Sequence, residues 1–182
     1  MIVIMSRDIR TIFKSGKALR LLPGEVLFRT SDPVSRMYLI ETGEVALRRF
    51  TPAGSVLVLQ CAAPGQILAE ASAYSILYHC EAVGQSEAKL RHIRVEAFRR
   101  AMTMDSELAE AWAAQLAHAV QSARLRSEIR TLRTVAERLD AWLGDGRQLP
   151  EKGEWQHLAS VLGVSREALY RELAKRRYKA RV

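Results

Sequence analysis

Glycine and proline are spread very unevenly along this chain. Glycines at 24, 43, 54, 65 and 84 and prolines at 23, 33, 52 and 64 punctuate residues 21–95, whereas neither residue occurs between Glu107 and Leu143. Both interrupt regular backbone, glycine through its conformational freedom and proline through its fixed φ and missing N–H. A segment cut at such short intervals can build only short elements. Runs such as MYLIETGEVALRRF and SVLVLQC lie between the breaks, and their β-branched and aromatic content predicts strands. The rhythm predicts an antiparallel sandwich or barrel.

The uninterrupted stretch predicts the opposite, a long helix rich in alanine. Leu108, Trp112, Leu116, Ala119 and Ala123 fall within about 80° of one another on a helical wheel. Small residues at 109, 113, 117, 119 and 123 allow close approach of a second helix. Pairing with another copy of the chain is the reading preferred over packing on its own barrel. Thr131–Thr134 breaks the helix. Val135, Leu139 and Trp142 then open a second stripe, which Gly144-Asp145-Gly146 ends.

The charge is also lopsided. The formal net charge is +8, with fourteen Lys and Arg against eight Asp and Glu in residues 121–182, and near balance before them. A basic end on a near-neutral body points to a polyanion, nucleic acid rather than membrane, since no basic helix carries a broad apolar face. Within that end runs HLASVLGVSREALYRELAKRR, from His157 to Arg177. Trp155–Leu162 and Ser165–Lys175 read as two helices crossing at Ala159, with Leu158, Leu162, Val164 and Leu169 as the contacts between them. Gly163 suits the positive φ of the turn, and Ser165 can cap the second helix. These spacings are those of a helix-turn-helix. Arg166, Glu167, Tyr170, Arg171 and Lys175 share one arc of the second helix, opposite Leu169. Such a helix can enter the major groove, where arginine bridges O6 and N7 of guanine and glutamate accepts from cytosine N4. The bland alternative is a solvated face with Glu167 near a helix N-terminus.

Other classes fit poorly. Apolar residues make up 48% of the chain, yet no run approaches the roughly 18 residues of a membrane span. The opening MIVIMSRDIR lacks a secretory pattern, so a cytoplasmic protein is expected. Cys61 and Cys80 form neither a disulfide framework nor a CxxC pair. The four histidines show no HxH or HExxH spacing, which argues against a metal enzyme, and no metal site is expected.

The motif SREALYR resembles the recognition helix of the CRP/FNR family of bacterial transcription regulators, in which an SRExxxR segment reads DNA. The resemblance extends over nearly the whole chain. LLPGEVLF is similar to the start of the family's cyclic-nucleotide-binding-type β-roll, MYLIETGEVAL to its central hairpin, and GQILAE to the segment whose glutamate contacts a ribose, which falls on Glu70. It implies an α+β fold: a helical lead over 1–20, an antiparallel β-roll (a cupin-like jelly roll) over 21–103, a dimerisation helix over 104–131, and a winged-helix-type helix-turn-helix domain over 134–182. It implies double-stranded DNA and a second copy of the chain as partners, with RNA polymerase as a further candidate and no membrane. Ser165, Arg166, Glu167, Tyr170, Arg171 and Lys175 would then meet DNA, with Lys179 and Arg181 on its backbone. Leu108, Trp112, Leu116, Ala119 and Ala123 would form the dimer seam.

Two departures stand out. Nucleotide-binding members carry an arginine followed by Ser or Thr about ten residues beyond the glutamate, where this chain has Tyr78-His79-Cys80. No Lys or Arg occurs between Arg49 and Lys89. The Thr/Ser pair that touches the base in such members is replaced near Ala123-Arg124. A phosphate buried without a cation is costly, so a cyclic nucleotide is not the expected ligand. Tyr74, Leu77 and Tyr78 are candidates to fill the pocket from within. No cofactor is identified: His79, Cys80 and Cys61 are candidate haem ligands or reactive thiols, with buried strand residues the simplest reading of the two cysteines. In addition, the family's β-hairpin wing has no counterpart in RYKARV, the only residues after Arg176; a reduced wing or a shortened chain is expected. The rival from another class is a small-molecule sensing module whose helical end engages a protein.

Overall fold

The computed structural model describes residues 8–151, 153 and 155–179. The chain divides into two compact units, residues 1–116 and 117–182.

The first unit is the punctuated segment. It contains β1 (Lys17–Leu21), β2 (Val26–Phe28), β3 (Arg36–Thr42), β4 (Val45–Phe50), β5 (Val56–Ala62), β6 (Ile67–Leu68), β7 (Glu81–Gly84) and β8 (Ala88–Arg94). They form two antiparallel sheets of four strands, ordered β1-β8-β3-β6 and β2-β7-β4-β5. The expected antiparallel roll is thus present. Met37, Tyr38 and Ile40 of β3, Val45 and Leu47 of β4 and Leu90 of β8 share a core with Phe13 and Leu68, and alternation puts Tyr38 with Ile40, and Val45 with Leu47, on one face of each strand. The helical lead expected over 1–20 is different in its described part: a single 3-10 turn, Ile9–Phe13, and then β1. Ile9 and Phe13 are buried in the roll's core, so this segment closes the roll rather than preceding it. Residues 1–7 of the lead lie outside the described residues.

After β8 come α1 (Val95–Met104) and α2 (Ser106–Thr131). Phe98 of α1 and Trp112 of α2 meet edge to face with ring centroids 4.9 Å apart, a favoured aromatic geometry. Leu108 and Trp112 belong to the roll's own core, and Leu116 packs against it. The first two residues of the α2 stripe are thus covered within their own unit.

The second unit holds the rest of α2 with α3 (Val135–Gly144), α4 (Trp155–Leu162) and α5 (Arg166–Lys179). The predicted break is a capping box, in which Thr134 Oγ1 accepts from Glu137 N at 3.1 Å and Thr134 N donates to Glu137 Oε2 at 2.8 Å. Ile129, Leu139, Trp142, Trp155, Leu158, Leu162, Leu169 and Leu173 form the core of this unit. Among the described residues no strand follows β8, so of the winged-helix-type expectation only the helices are present.

Candidate nucleic-acid interface and sensor segment

The α4–α5 pair is built from local rules. Leu158 and Leu162 of α4 are buried with Leu169 of α5, and Ala159, 2% exposed, lies where a larger side chain would hold the helices apart. Gly163 takes φ +64°, where a Cβ is strained. Its N–H donates to Ser160 O, and Val164 N donates to Ala159 O at 3.0 Å, which closes α4. Ser165 Oγ accepts from Ala168 N at 3.2 Å, the cap expected from the sequence.

With Leu169 and Leu173 turned inward, Arg166, Glu167, Arg171 and Lys175 are exposed and Tyr170 is half-buried. Each has a distinct setting. The Arg166 guanidinium lies over the Tyr170 ring, with Cζ 5.1 Å from its centroid. Glu167 is held below the usual carboxylate range by its own backbone N–H and by the Ser165 side chain; it sits at the N-terminus of α5, where a negative charge is favoured. Arg171 and Lys175 line an open cavity of about 250 Å³ with Val135, Ala168 and Glu172. Arg181 lies outside the described residues, as does the side chain of Lys179.

Two arginines do something else, which sequence reading missed. Arg176 bonds Asp140 at 2.6 Å, Glu172 at 2.7 Å and Ala136 O at 3.1 Å, fastening α5 to α3 and removing one cation from the basic tail. Arg138 donates from Nε to Leu132 O (2.9 Å), from Nη1 to Leu162 O (3.1 Å) and Gly163 O (2.9 Å), and from Nη2 to Arg130 O (3.1 Å). It thereby serves carbonyls at the C-terminal ends of both α2 and α4, groups that a helix leaves without partners. Of these partners only Glu172, four residues before Arg176 on the same helix, is marked by sequence spacing; the others include groups up to 40 residues away.

The sensor residues lie in the first unit. Ala69, in the left-handed region at φ +58°, delivers Glu70 into a 3-10 turn, Glu70–Ser72. Tyr78 is buried; its ring stacks on Phe28 at 3.8 Å and its hydroxyl donates to Arg36 O at 2.8 Å. Burial pushes that hydroxyl far above the ordinary phenol range. Of the three residues considered as pocket fillers, Tyr78 is inside the core, whereas Tyr74 and Leu77 are 64% and 48% exposed. His79 is exposed, with Nδ1 3.1 Å from Ser72 Oγ. Cys80 is fully buried, and burial pushes its thiol up, with Arg49 opposing and Glu70 adding to the shift. Cys61 on β5 is half-buried.

Arg49, at the edge of the basic-free stretch, reaches into this segment in space. β4 pairs with β7, and Arg49 Nε donates to His79 O at 2.8 Å. Arg99 of α1 likewise donates to Ala73 O at 2.7 Å and Ser75 O at 3.2 Å. Both lie outside the basic-free stretch in sequence yet reach it in space. On α2, Ala119 is half-buried and Ala123 and Arg124 are exposed. Among the described residues no cluster of three or more His, Cys, Asp and Glu side chains could hold a metal, and no helix is long and apolar enough to cross a membrane.

Comparison with known proteins bears on both units. Residues 18–105 match the family of the cyclic nucleotide-binding domain. Among solved structures, FixK2 from Bradyrhizobium japonicum superposes with a TM-score of 0.72 at 17% identity, covering 91% of this chain and 86% of that one. The global regulator CLP from Xanthomonas campestris gives a TM-score of 0.66 at 19% identity, with 95% and 92% coverage. The catabolite activator protein of Thermus thermophilus gives 0.56 at 20% identity, with 98% and 86% coverage. The fold is that of the CRP/FNR-type transcription regulators. The CRP/FNR-type likeness spans both units, since each of these matches covers more than nine-tenths of the chain. No match was found among curated protein sequences.

Proposed function

We propose that this chain is a sequence-specific DNA-binding transcription regulator of the CRP/FNR type, working as a homodimer in the cytoplasm. The observation that carries the reading is the division of α5 into two faces. Leu169 and Leu173 anchor it in the core of its unit, while Arg166, Glu167, Tyr170, Arg171 and Lys175 form the outer face of a helix capped by Ser165. A helix-turn-helix of this kind presents the first turns of its second helix to base edges. Arg166 and Arg171 supply bidentate donors, and Glu167 supplies an acceptor for a cytosine amino group. Lys175, Lys179 and Arg181 would meet phosphates, a contribution that does not depend on sequence.

The two-fold partner would pair along α2 through half-buried Ala119 and exposed Ala123, with Leu116 at the edge of the seam. Two α5 helices would then reach successive major grooves, about 34 Å apart, on a near-palindromic site. The first unit would act as a sensor that does not take cyclic AMP or cyclic GMP. Tyr78 occupies core volume, and Arg49, which reaches this segment, is engaged by a backbone carbonyl.

Selection of bound sequences from a random DNA pool, followed by titration of single-base variants, tests this. Replacing Arg166 or Glu167 with Ala should flatten discrimination at particular base pairs, at about 1–3 kcal/mol for each well-made contact. An unchanged preference with Glu167→Ala would remove Glu167 from the reading surface.

A further inference from the structure

Arg166 stands at one end of a row in which two rings in contact carry a cation on either side. Its Cζ stands 5.1 Å from the centroid of Tyr170, one helical turn on, and Nη2 lies 3.5 Å from the Tyr170 hydroxyl. The Tyr170 ring meets Trp155 of α4 edge to face, with centroids 4.9 Å apart and planes at 74°. Trp155 is 4% exposed and its Nε1 donates to Pro150 O at 2.9 Å. Arg177 then covers Trp155 with Cζ 5.0 Å from its ring. Both cation–ring distances fall inside the roughly 6 Å over which the attraction operates.

Resting on the recognition role given to α5, we propose that Tyr170 is a positioning residue for base reading, holding the Arg166 guanidinium on its ring while Trp155 holds the ring itself. A free arginine at the first turn of an exposed helix samples many rotamers and must lose them to make a two-point contact with guanine. Nη2 alone is directed at the Tyr170 hydroxyl, at 3.5 Å, and a guanidinium carries four further N–H donors. Those are the groups that reach O6 and N7. Trp155 is fixed by burial and by its own hydrogen bond, so the platform is anchored in the core of the unit rather than in the exposed helix face. Tyr170 itself needs no contact with a base.

The test uses the full chain and the preferred DNA site, with every single-base variant of that site titrated against wild type, Arg166→Ala, Tyr170→Phe, Tyr170→Leu and the double variant Arg166→Ala/Tyr170→Leu. Tyr170→Leu keeps apolar bulk against Trp155 but removes the π-face, so the fold should be retained, and circular dichroism checks it. Tyr170→Phe retains the ring and should restore most of the discrimination that Tyr170→Leu loses, short only of what the Tyr170 hydroxyl gives Arg166 Nη2. Tyr170→Leu should lose roughly two- to fivefold in discrimination, the worth of an exposed cation–π contact, and only at the base pairs that Arg166→Ala flattens. The double variant should lose no more there than Arg166→Ala alone. A uniform loss across all sites, or additive losses in the double variant, would overturn the positioning role while leaving the recognition helix intact. Absence of any sequence preference in the wild type would instead remove the recognition helix, and this inference with it.

Discussion

Arg138 offers a quantitative test of what holds the α4–α5 pair in place. Its guanidinium makes four hydrogen bonds to backbone carbonyls, at 2.9–3.1 Å. Replacing it with Met keeps most of the stem and removes every donor. The carbonyls of Leu132 and Leu162 are in partly buried contacts, while those of Gly163 and Arg130 are exposed and can turn to water. Stranding a partly buried carbonyl costs about 1–1.5 kcal/mol each, toward the low end for buried groups. Loss of a cation beside two helix C-termini adds about 0.3–1 kcal/mol. The expected destabilisation is about 2–4 kcal/mol, confined to the second unit. Because the two units need not unfold together, a single melting temperature is a poor readout. Amide hydrogen exchange read by mass spectrometry resolves them: peptides from α4 and α5 should exchange at least roughly thirtyfold faster, since each factor of ten corresponds to about 1.4 kcal/mol. Peptides from β3 and β8 should not change. Arg133→Met, at an exposed neighbouring position, serves as the control. Unaltered protection in α4 and α5 would refute the assignment of Arg138 as the clamp.

Three further outcomes are expected. Ala123→Glu, at a position exposed in the single chain, should convert a dimer into monomers in analytical ultracentrifugation by placing like charges across the two-fold seam; an unchanged dimer would move the interface off α2. Calorimetric titration with cyclic AMP and cyclic GMP at physiological salt should give no micromolar binding. A micromolar dissociation constant abolished by Arg49→Gln would mean that Arg49 leaves His79 O to take the phosphate. Finally, a raised thiol pKa keeps Cys80 neutral to higher pH than a free thiol, and with full burial this predicts that iodoacetamide at pH 8 labels Cys61 well before Cys80, the latter reacting only on unfolding. Equal labelling rates in the native protein would contradict it.

The parts of this protein that could be read without a structure are those set by neighbours in the chain. Glycine and proline spacing separates the roll from the helices because both act on the local backbone. The capping box at Thr134 and Glu137, the positive φ at Gly163 and the cap at Ser165 each join residues within three positions of one another. Periodicity assigned Leu158, Leu162 and Leu169 to the contact between α4 and α5 for the same reason. Tertiary structure decided what covers each face and where long side chains end. The α2 stripe was legible, yet nothing in its spacing distinguishes a second copy from the chain's own α1, against which Trp112 in fact packs. Segment 50–88 carries no cation in sequence, but antiparallel pairing of β4 with β7 sets Arg49 beside His79, and α1 brings Arg99 to Ala73. An arginine reaches several ångströms from its backbone and bonds carbonyls that any residue could supply. Its partners therefore leave no trace in residue identity, and only the folded chain brings them together.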